Sequence, residues 1–377
     1  MMTEKTEKQK VRKPSLQFDG YLLFPVLFLV GIGVVMVYSA SSAVALKAHG
    51  ADNYFLKKQA IFSVMGIVAL VICRRVPVRL LRHMAYPLLG LAIAALGAVW
   101  INGLGYTAGG ATRWIRIQGF TFQPSEFARF ATVIYLAYSL SKKGERVREF
   151  AIGFLPHAII LGIISSLIIL QPDFGSVVIL GAITWTMLFV GGVRVTHLMA
   201  PLMVVIPLLV WFMFTAEYRI KRWMSFLDPW QYTNDSGYQI VHSLMAFGTG
   251  GLWGAGIGQG YQKLFYLPEP HTDFIFSVIG EELGLIGVLI ILGLYFLIIW
   301  RGVIIARRAP DAFSSLVAMG LTAAIGLQVG INMGVALGLL PTKGLTLPLL
   351  SYGGTSLVVN MAAVGIIMNV GAVRSAG

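Results

Sequence analysis

Three stretches of the chain combine acids, bases, aromatic rings and backbone-breaking residues at spacings that could do chemistry. In YLPEPHTDFIFSVIGEELG, residues 266–284, Asp273 follows His271 and a proline-flanked Glu269. Proline on both sides of Glu269 makes a stiff, extended entry to the next helix. Thr272 is a suitable N-cap, which would put Asp273 in the first turn, where the helix dipole favours an ionised carboxylate. An ordinary first-turn acid is one reading of Asp273. The other is a general base acting on an anionic substrate, because the loop ahead carries Arg219, Lys221, Arg222 and Lys263 among aromatic residues. Glu281 and Glu282 lie about 12 Å further into the helix and read as structural acids that need basic partners from other helices.

The second stretch is GGATRWIRIQGFTFQPSEFARF, residues 109–130. Arg113, Trp114 and Arg116 suit either an aromatic anchor with snorkelling arginines or a cationic-aromatic surface for a phosphate-bearing headgroup and a sugar face. Pro124 opens a helix, and Glu126 and Arg129 share one face of it at i, i+3 spacing. Ionisable side chains inside an apolar helix mark either a structural ion pair or a polar cavity open to substrate. The third stretch, PTKGLTLPLLSYGGTS at 341–356, has two prolines, three glycines and several hydroxyls. It cannot form a regular helix, and at membrane depth such backbone must be buried in protein or line a wet cavity. Lys343 and Ser351 are its expected polar contacts.

The elements that must position these residues are membrane helices. Of the 377 residues 57% are hydrophobic and only 12% charged, and mean hydropathy is +0.78. A soluble domain carries about 25% charge. Apolar runs predict an all-α, polytopic membrane protein with ten spans near 21–39, 59–73, 84–101, 124–141, 151–170, 174–192, 197–215, 274–300, 312–338 and 355–372. Basic residues assign the sides. Lys5, Lys8, Lys10, Arg12 and Lys13 precede the first span. Arg74, Arg75, Arg79 and Arg82, then Lys142, Lys143, Arg146 and Arg148, then Arg194, Arg301, Arg307, Arg308 and Arg374 fall on the same face. The positive-inside rule therefore predicts both termini in the cytoplasm.

The organisation expected is a disordered basic tail at 1–18 and one ten-helix membrane domain at 19–377. Its outer loops fall at about 102–123, 216–273 and 339–354, the largest between helices 7 and 8. Loops this long are usually functional or disordered; these carry Trp, Tyr, Arg, His and Pro in mixed order, as an ordered surface would, which puts the chemistry on the outer face. The net charge of +13 is accounted for by topology and anionic lipid headgroups, with no nucleic-acid partner. The single cysteine, Cys73, excludes a disulfide framework within the chain and any multi-cysteine metal site. GAGIGQG at 254–260 does not match a dinucleotide fingerprint, and neither a P-loop nor HExxH occurs.

HTDFIFSVIGEELG, FQPSEFAR, QPDFG and LPLLSYGGTS, in that arrangement on ten spans, closely resemble the SEDS family (shape, elongation, division and sporulation), over roughly residues 15–372. GAGIGQGYQKLFYLPEPHTDF is more similar to the division branch than to the elongation branch. The resemblance implies a peptidoglycan glycosyltransferase that polymerises lipid II on the outer face of the cytoplasmic membrane. It implies a class B penicillin-binding protein and other division proteins as partners. It also implies that Asp273 is the essential catalytic residue, that Trp114 is critical, that Glu126 and Arg129 line a central cavity, and that Lys58 is the basic residue before the second span. Many members carry lysine where this chain has Arg129, a bulkier and forked donor. Glycan polymerisation needs a base for the acceptor hydroxyl and cations for the departing pyrophosphate. Asp273 fits the first; Arg113, Arg219, Lys221, Arg222 and Lys343 are candidates for the second. The donor is already activated, so no nucleotide is required; whether a divalent cation assists is left open. A lipid II flippase and a non-catalytic division scaffold are the alternative functions.

Overall fold

The computed structural model describes residues 18–372 except 102, 109, 118, 216, 234–236 and 265. The basic tail and Arg374 therefore lie outside the described residues. Ten helices occupy the ten expected spans: α1 (Gly20–His49), α2 (Tyr54–Arg75), α4 (Ala85–Ala98), α5 (Pro124–Lys143), α6 (Leu155–Leu170), α7 (Phe174–Val190), α8 (Val195–Phe214), α11 (Ile275–Arg307), α12 (Ala312–Ala336) and α13 (Gly354–Ala372). A short helix, α3 (Val78–His83), joins α2 to α4, while α9 (Glu217–Leu227) and α10 (Tyr238–Gly250) lie in the largest loop. Six of the described helices are both long and apolar enough to cross a bilayer unaided, counting the turn at Phe150–Phe154 with α6. Helices α4 and α7 are apolar but shorter, and α5 carries Glu126 and Arg129; these three depend on their neighbours, whereas α8 is a 20-residue apolar helix with Pro201 and Pro207 inside it.

Helix α1 runs ten residues past its expected end, because Ser-Ala-Val-Leu sequence continues the helix until Gly50. That glycine adopts φ 69° and donates its N–H to the Leu46 carbonyl at 3.0 Å. Helices α2 and α13 pack closely through small residues. A Cβ on Gly365 would collide with the Leu70 carbonyl, and one on Gly66 would stand 3.0 Å from Met361. One contiguous core of buried residues extends from α1 to α13.

The loop at 102–123 departs from the all-α expectation. It folds as a three-stranded antiparallel sheet, β1 (Gly105–Ala108), β2 (Ala111–Ile117) and β3 (Phe120–Phe122), in the order β1-β2-β3. The β-branched and aromatic run ATRWIRI favours a strand, and Gly110 and Gly119, at φ 76° and 88°, form the two reversals. The segment 339–354 is irregular, as expected, and sinks into the bundle. Tyr295 donates its hydroxyl to the Pro348 carbonyl, and the carbonyls of Leu349 and Leu350 lie against Gly33 of α1. Its backbone is thus buried in protein rather than exposed to lipid.

Two polar ties join α1 to α11, one near each end. Arg301 of α11 bonds Asp19 at 2.8 Å beside the start of α1. At the far end Ser39 donates to Glu282 at 2.7 Å, and Lys263 reaches both, at 2.8 Å from Ser39 and 2.5 Å from Glu282. Lys263, expected to face Asp273, is therefore spent on an acid that burial would otherwise leave unpaired. Glu281 needs no basic partner, because it accepts backbone N–H groups from Tyr261 and Gln262.

Candidate active site

Asp273 ends a tight turn. Glu269, held at φ 50°, offers its carbonyl to the N–H groups of Thr272 and Asp273, each at 3.2 Å. Thr272 does not cap α11: its hydroxyl turns back to the Glu269 carbonyl at 3.2 Å, and Phe274 is the cap residue. Asp273 therefore precedes the first helical turn, and burial replaces the expected dipole as the dominant influence. Burial, then the nearby Glu269 carboxylate and Asp173, push its pKa up to about 7, while Arg113 pulls it down. A carboxyl so poised can both take and return a proton near neutral pH.

The half-buried Asp273 is held from below by Asn332 of α12. The Asn332 amide donates to the Asp273 carbonyl at 2.9 Å and to the Leu345 carbonyl at 2.5 Å, tying the turn to the irregular segment. Gly344 allows that approach, since a Cβ there would stand 2.9 Å from an Asp273 carboxylate oxygen. The neighbouring Lys343 is half-buried; desolvation lowers its pKa and Asp173 raises it. Lys343 and Asp273 are thus brought into one region. Ser351 is not: it is buried, and its hydroxyl accepts the Leu347 N–H at 2.8 Å as a clasp within the loop.

Arg113 reaches the site through a β-bulge. Tyr106 of β1 faces Trp114, and Thr107 faces Thr112, so Arg113 has no cross-strand partner. The extra residue re-aims its side chain. The guanidinium leaves the sheet for the carbonyls of Gln171, at 3.2 Å, and Pro172 in the QPDFG turn. The single Arg113–Trp114 surface expected from sequence is accordingly divided. Trp114 lies opposite Tyr106, whose ring carries Arg116 at 5.1 Å, and Arg113 serves the Asp273 side. Asp173, which sequence reasoning passed over, caps α7 by accepting the Ser176 N–H at 3.2 Å and hydroxyl at 2.7 Å. Its signal was present in the QPDFG turn, as an acid directly before an apolar helix.

His271 is buried between rings, 4.5 Å from Phe55 and 5.6 Å from Tyr352 between centroids. Its carbonyl accepts the Tyr352 N–H at 2.9 Å. Desolvation lowers its pKa, so the neutral imidazole packs here as a wall. Lys58 lies one turn from Phe55 on α2; its ammonium donates to the Tyr54 hydroxyl at 2.7 Å. Arg129 and Glu126 form a buried ion pair. Arg129 also donates to Gln328 at 3.2 Å, and Gln328 donates to the Thr346 carbonyl at 3.0 Å. These side chains line a cavity of about 20 Å³, room for roughly one water, between α5, α12 and α13. The ion-pair reading is thus realised, beside a void with room for a water rather than a sugar. Lys221 is exposed on α9; the side chains of Arg219 and Arg222 lie outside the described residues.

Comparison with known proteins gives concordant matches along the whole chain. The family model for FtsW, RodA and SpoVE, described as cell cycle protein, matches residues 21–376. A probable peptidoglycan glycosyltransferase FtsW of Trichlorobacter lovleyi is 46% identical over 364 residues, 96% of each chain. Another, from Geobacter metallireducens, is 44% identical over 354 residues, 94% of each. Among solved structures, one chain from a peptidoglycan synthase complex that coordinates polymerization and crosslinking superposes with a TM-score of 0.78 at 30% identity. The match covers 95% of this chain and 98% of that one. The rod shape determining protein RodA of Thermus thermophilus gives 0.69 at 30% identity, covering 94% and 97%.

Proposed function

This chain belongs to the FtsW, RodA and SpoVE family of cell cycle proteins, and from that premise we propose that it is a peptidoglycan glycosyltransferase whose general base is Asp273. The substrate is lipid II, a disaccharide-pentapeptide on a polyprenyl pyrophosphate. Asp273 takes the proton from the acceptor sugar hydroxyl. The freed oxygen bonds to the donor's anomeric carbon as the bond from that carbon to pyrophosphate breaks. Arg113 and Lys343 receive the charge that develops on the leaving pyrophosphate. The observation that carries this reading is the meeting of three segments around one carboxyl: the HTDF turn holds a base of pKa about 7, the bulged strand brings Arg113 to act on it, and the irregular loop sets Gly344, next to Lys343, against it.

Both termini lie in the cytoplasm and the site faces outward, in keeping with the basic residues clustered on the inner connections. A class B penicillin-binding protein is the partner that cross-links the product, and other division proteins assemble with the pair. The purified protein and its partner, supplied with lipid II, provide the test. Asp273→Asn keeps shape and should bind lipid II, yet lose about 10²–10⁴-fold in polymerisation rate. Polymerisation within a few-fold of the unsubstituted protein would remove Asp273 from the chemistry. Lipid transfer without glycan strands would identify a flippase, and neither activity a scaffold.

A further inference from the structure

The two ties between α1 and α11 measure the membrane. On α1, twenty residues separate Asp19 from Ser39, about 30 Å of helix; on α11, nineteen separate Glu282 from Arg301, about 28 Å. Both lengths equal the hydrocarbon thickness of about 30 Å. Both helices show exposed apolar side chains between the ties, and Tyr21 and Trp300 stand exposed at the Asp19–Arg301 end, as interfacial rings do. Equating the separation of the ties with the hydrocarbon thickness puts its outer boundary at Ser39, Lys263 and Glu282. The left-handed Gly284, at φ 65°, interrupts α11 just inside it.

The glycine-rich segment after α10 is pinned to that same level. The Gly251 and Leu252 carbonyls accept the N–H groups of Leu285 and Ile286, at 2.9 and 3.3 Å. Ala255 and Gly256 donate to the Glu281 and Glu282 carbonyls, at 2.9 and 3.0 Å. Close approach requires glycine here, because a Cβ on Gly254 would collide with Glu282 backbone. The side chains left outward are large and apolar: Trp253 is 81% exposed, Leu252 61% and Ile257 58%. They continue the lipid-facing strip of Leu285 and Ile286 on α11.

We propose that residues 251–258 form an interfacial anchor, which inserts Leu252 and Ile257 among the outer-leaflet acyl chains and sets the Trp253 indole at headgroup level. The occupant of this surface is bilayer lipid. The first turns of α11, from Ile275 to Glu282, then lie beyond the Gly284 break, and the anchor fixes the position of the HTDF turn relative to the lipid surface.

The test is a depth measurement on the full chain in vesicles of phosphatidylcholine and phosphatidylglycerol. A nitroxide is attached at Trp253→Cys in a Cys73→Ser background, with Ile257→Cys as a second site. Thr107→Cys in the sheet serves as the aqueous reference and Phe296→Cys, between the two ties on α11, as the deep one. Collisions with oxygen and with a nickel chelate are read by electron paramagnetic resonance. The anchor predicts oxygen-to-nickel ratios at 253 and 257 several-fold above that at 107 and below that at 296. Ratios equal to that at 107 would place the segment in water and overturn the proposal. Exclusion of both reagents would overturn it too, by putting protein on this surface.

Discussion

Replacing Arg113 with glutamine should move the acid limb of the polymerisation rate to higher pH. The base must be ionised, so the rate climbs as pH rises through the Asp273 pKa of about 7. Arg113 opposes the burial and the acids that hold this pKa up, so removing its charge raises the pKa further. An opposite charge within about 4–6 Å moves a carboxyl by about 1–3 units. Arg113 is half-buried and shares its guanidinium with two carbonyls, so solvent and those dipoles reduce the effect to about one unit. Well below the pKa, one unit is about tenfold in ionised fraction. Arg113→Gln should therefore lose about tenfold near pH 6 beyond any loss on the plateau near pH 9. The plateau reports the separate role of Arg113 toward the pyrophosphate. Arg113→Lys keeps the charge but not the fork, so it should lower the plateau and leave the limb in place. The assay is the initial rate of lipid II polymerisation across pH at fixed ionic strength. A limb unmoved or lowered in Arg113→Gln, or moved equally in Arg113→Lys, would refute the electrostatic argument.

Three further outcomes follow from the same contacts. Folding raises the Asp273 pKa from 3.8 to about 7, so its ionisation opposes folding, not at all below about pH 4 and fully above about pH 7. Asp273→Asn should accordingly stabilise the protein near pH 8 by on the order of 1 kcal/mol after allowance for partial exposure, and leave its melting temperature unchanged near pH 4. Asn332→Ala removes two donors from buried carbonyls, which costs about 1–3 kcal/mol in denaturation; kcat should fall while the acid limb stays at the same pH, since the carboxyl keeps its charged neighbours. Lys263→Met strands Glu282 in the bundle and should cost about 3–5 kcal/mol, and adding Glu282→Gln should restore most of it in a double-mutant cycle.

The helical frame was legible because apolar runs of span length leave few alternatives, and all ten expected spans carry a helix. The residues of the site were legible by type: an acid after stiff prolines, arginines beside a tryptophan, an unhelical run at membrane depth. Their partners were not. Nothing local in ATRWIRI tells that Tyr106 pairs with Trp114 and leaves Arg113 over, because register depends on the other strand. Thr272 looked like a cap by spacing, yet the left-handed Glu269 turned its hydroxyl backward. Lys263 and Glu282 are nineteen residues apart across the proline-flanked turn, and the loop after α10 brings them together by bonding its backbone to Glu281 and Glu282. Ser351 had the right chemistry for a substrate contact, but the loop uses it to close its own turn.

The irregular segment between α12 and α13 also has a consequence in time. A ribosome delivers these residues after Asp273, Arg113 and the helices around them have already been made. Until Leu345 arrives, Asn332 lacks one of its two carbonyl acceptors, and until Gly344 arrives the carboxyl lacks its close backbone neighbour. The segment must then enter a bundle whose other walls are standing, and α13 seals it by closing on α2. A nascent chain stalled before this point holds the base without the surroundings that tune it, so competence is conferred by a segment synthesised well after the base itself.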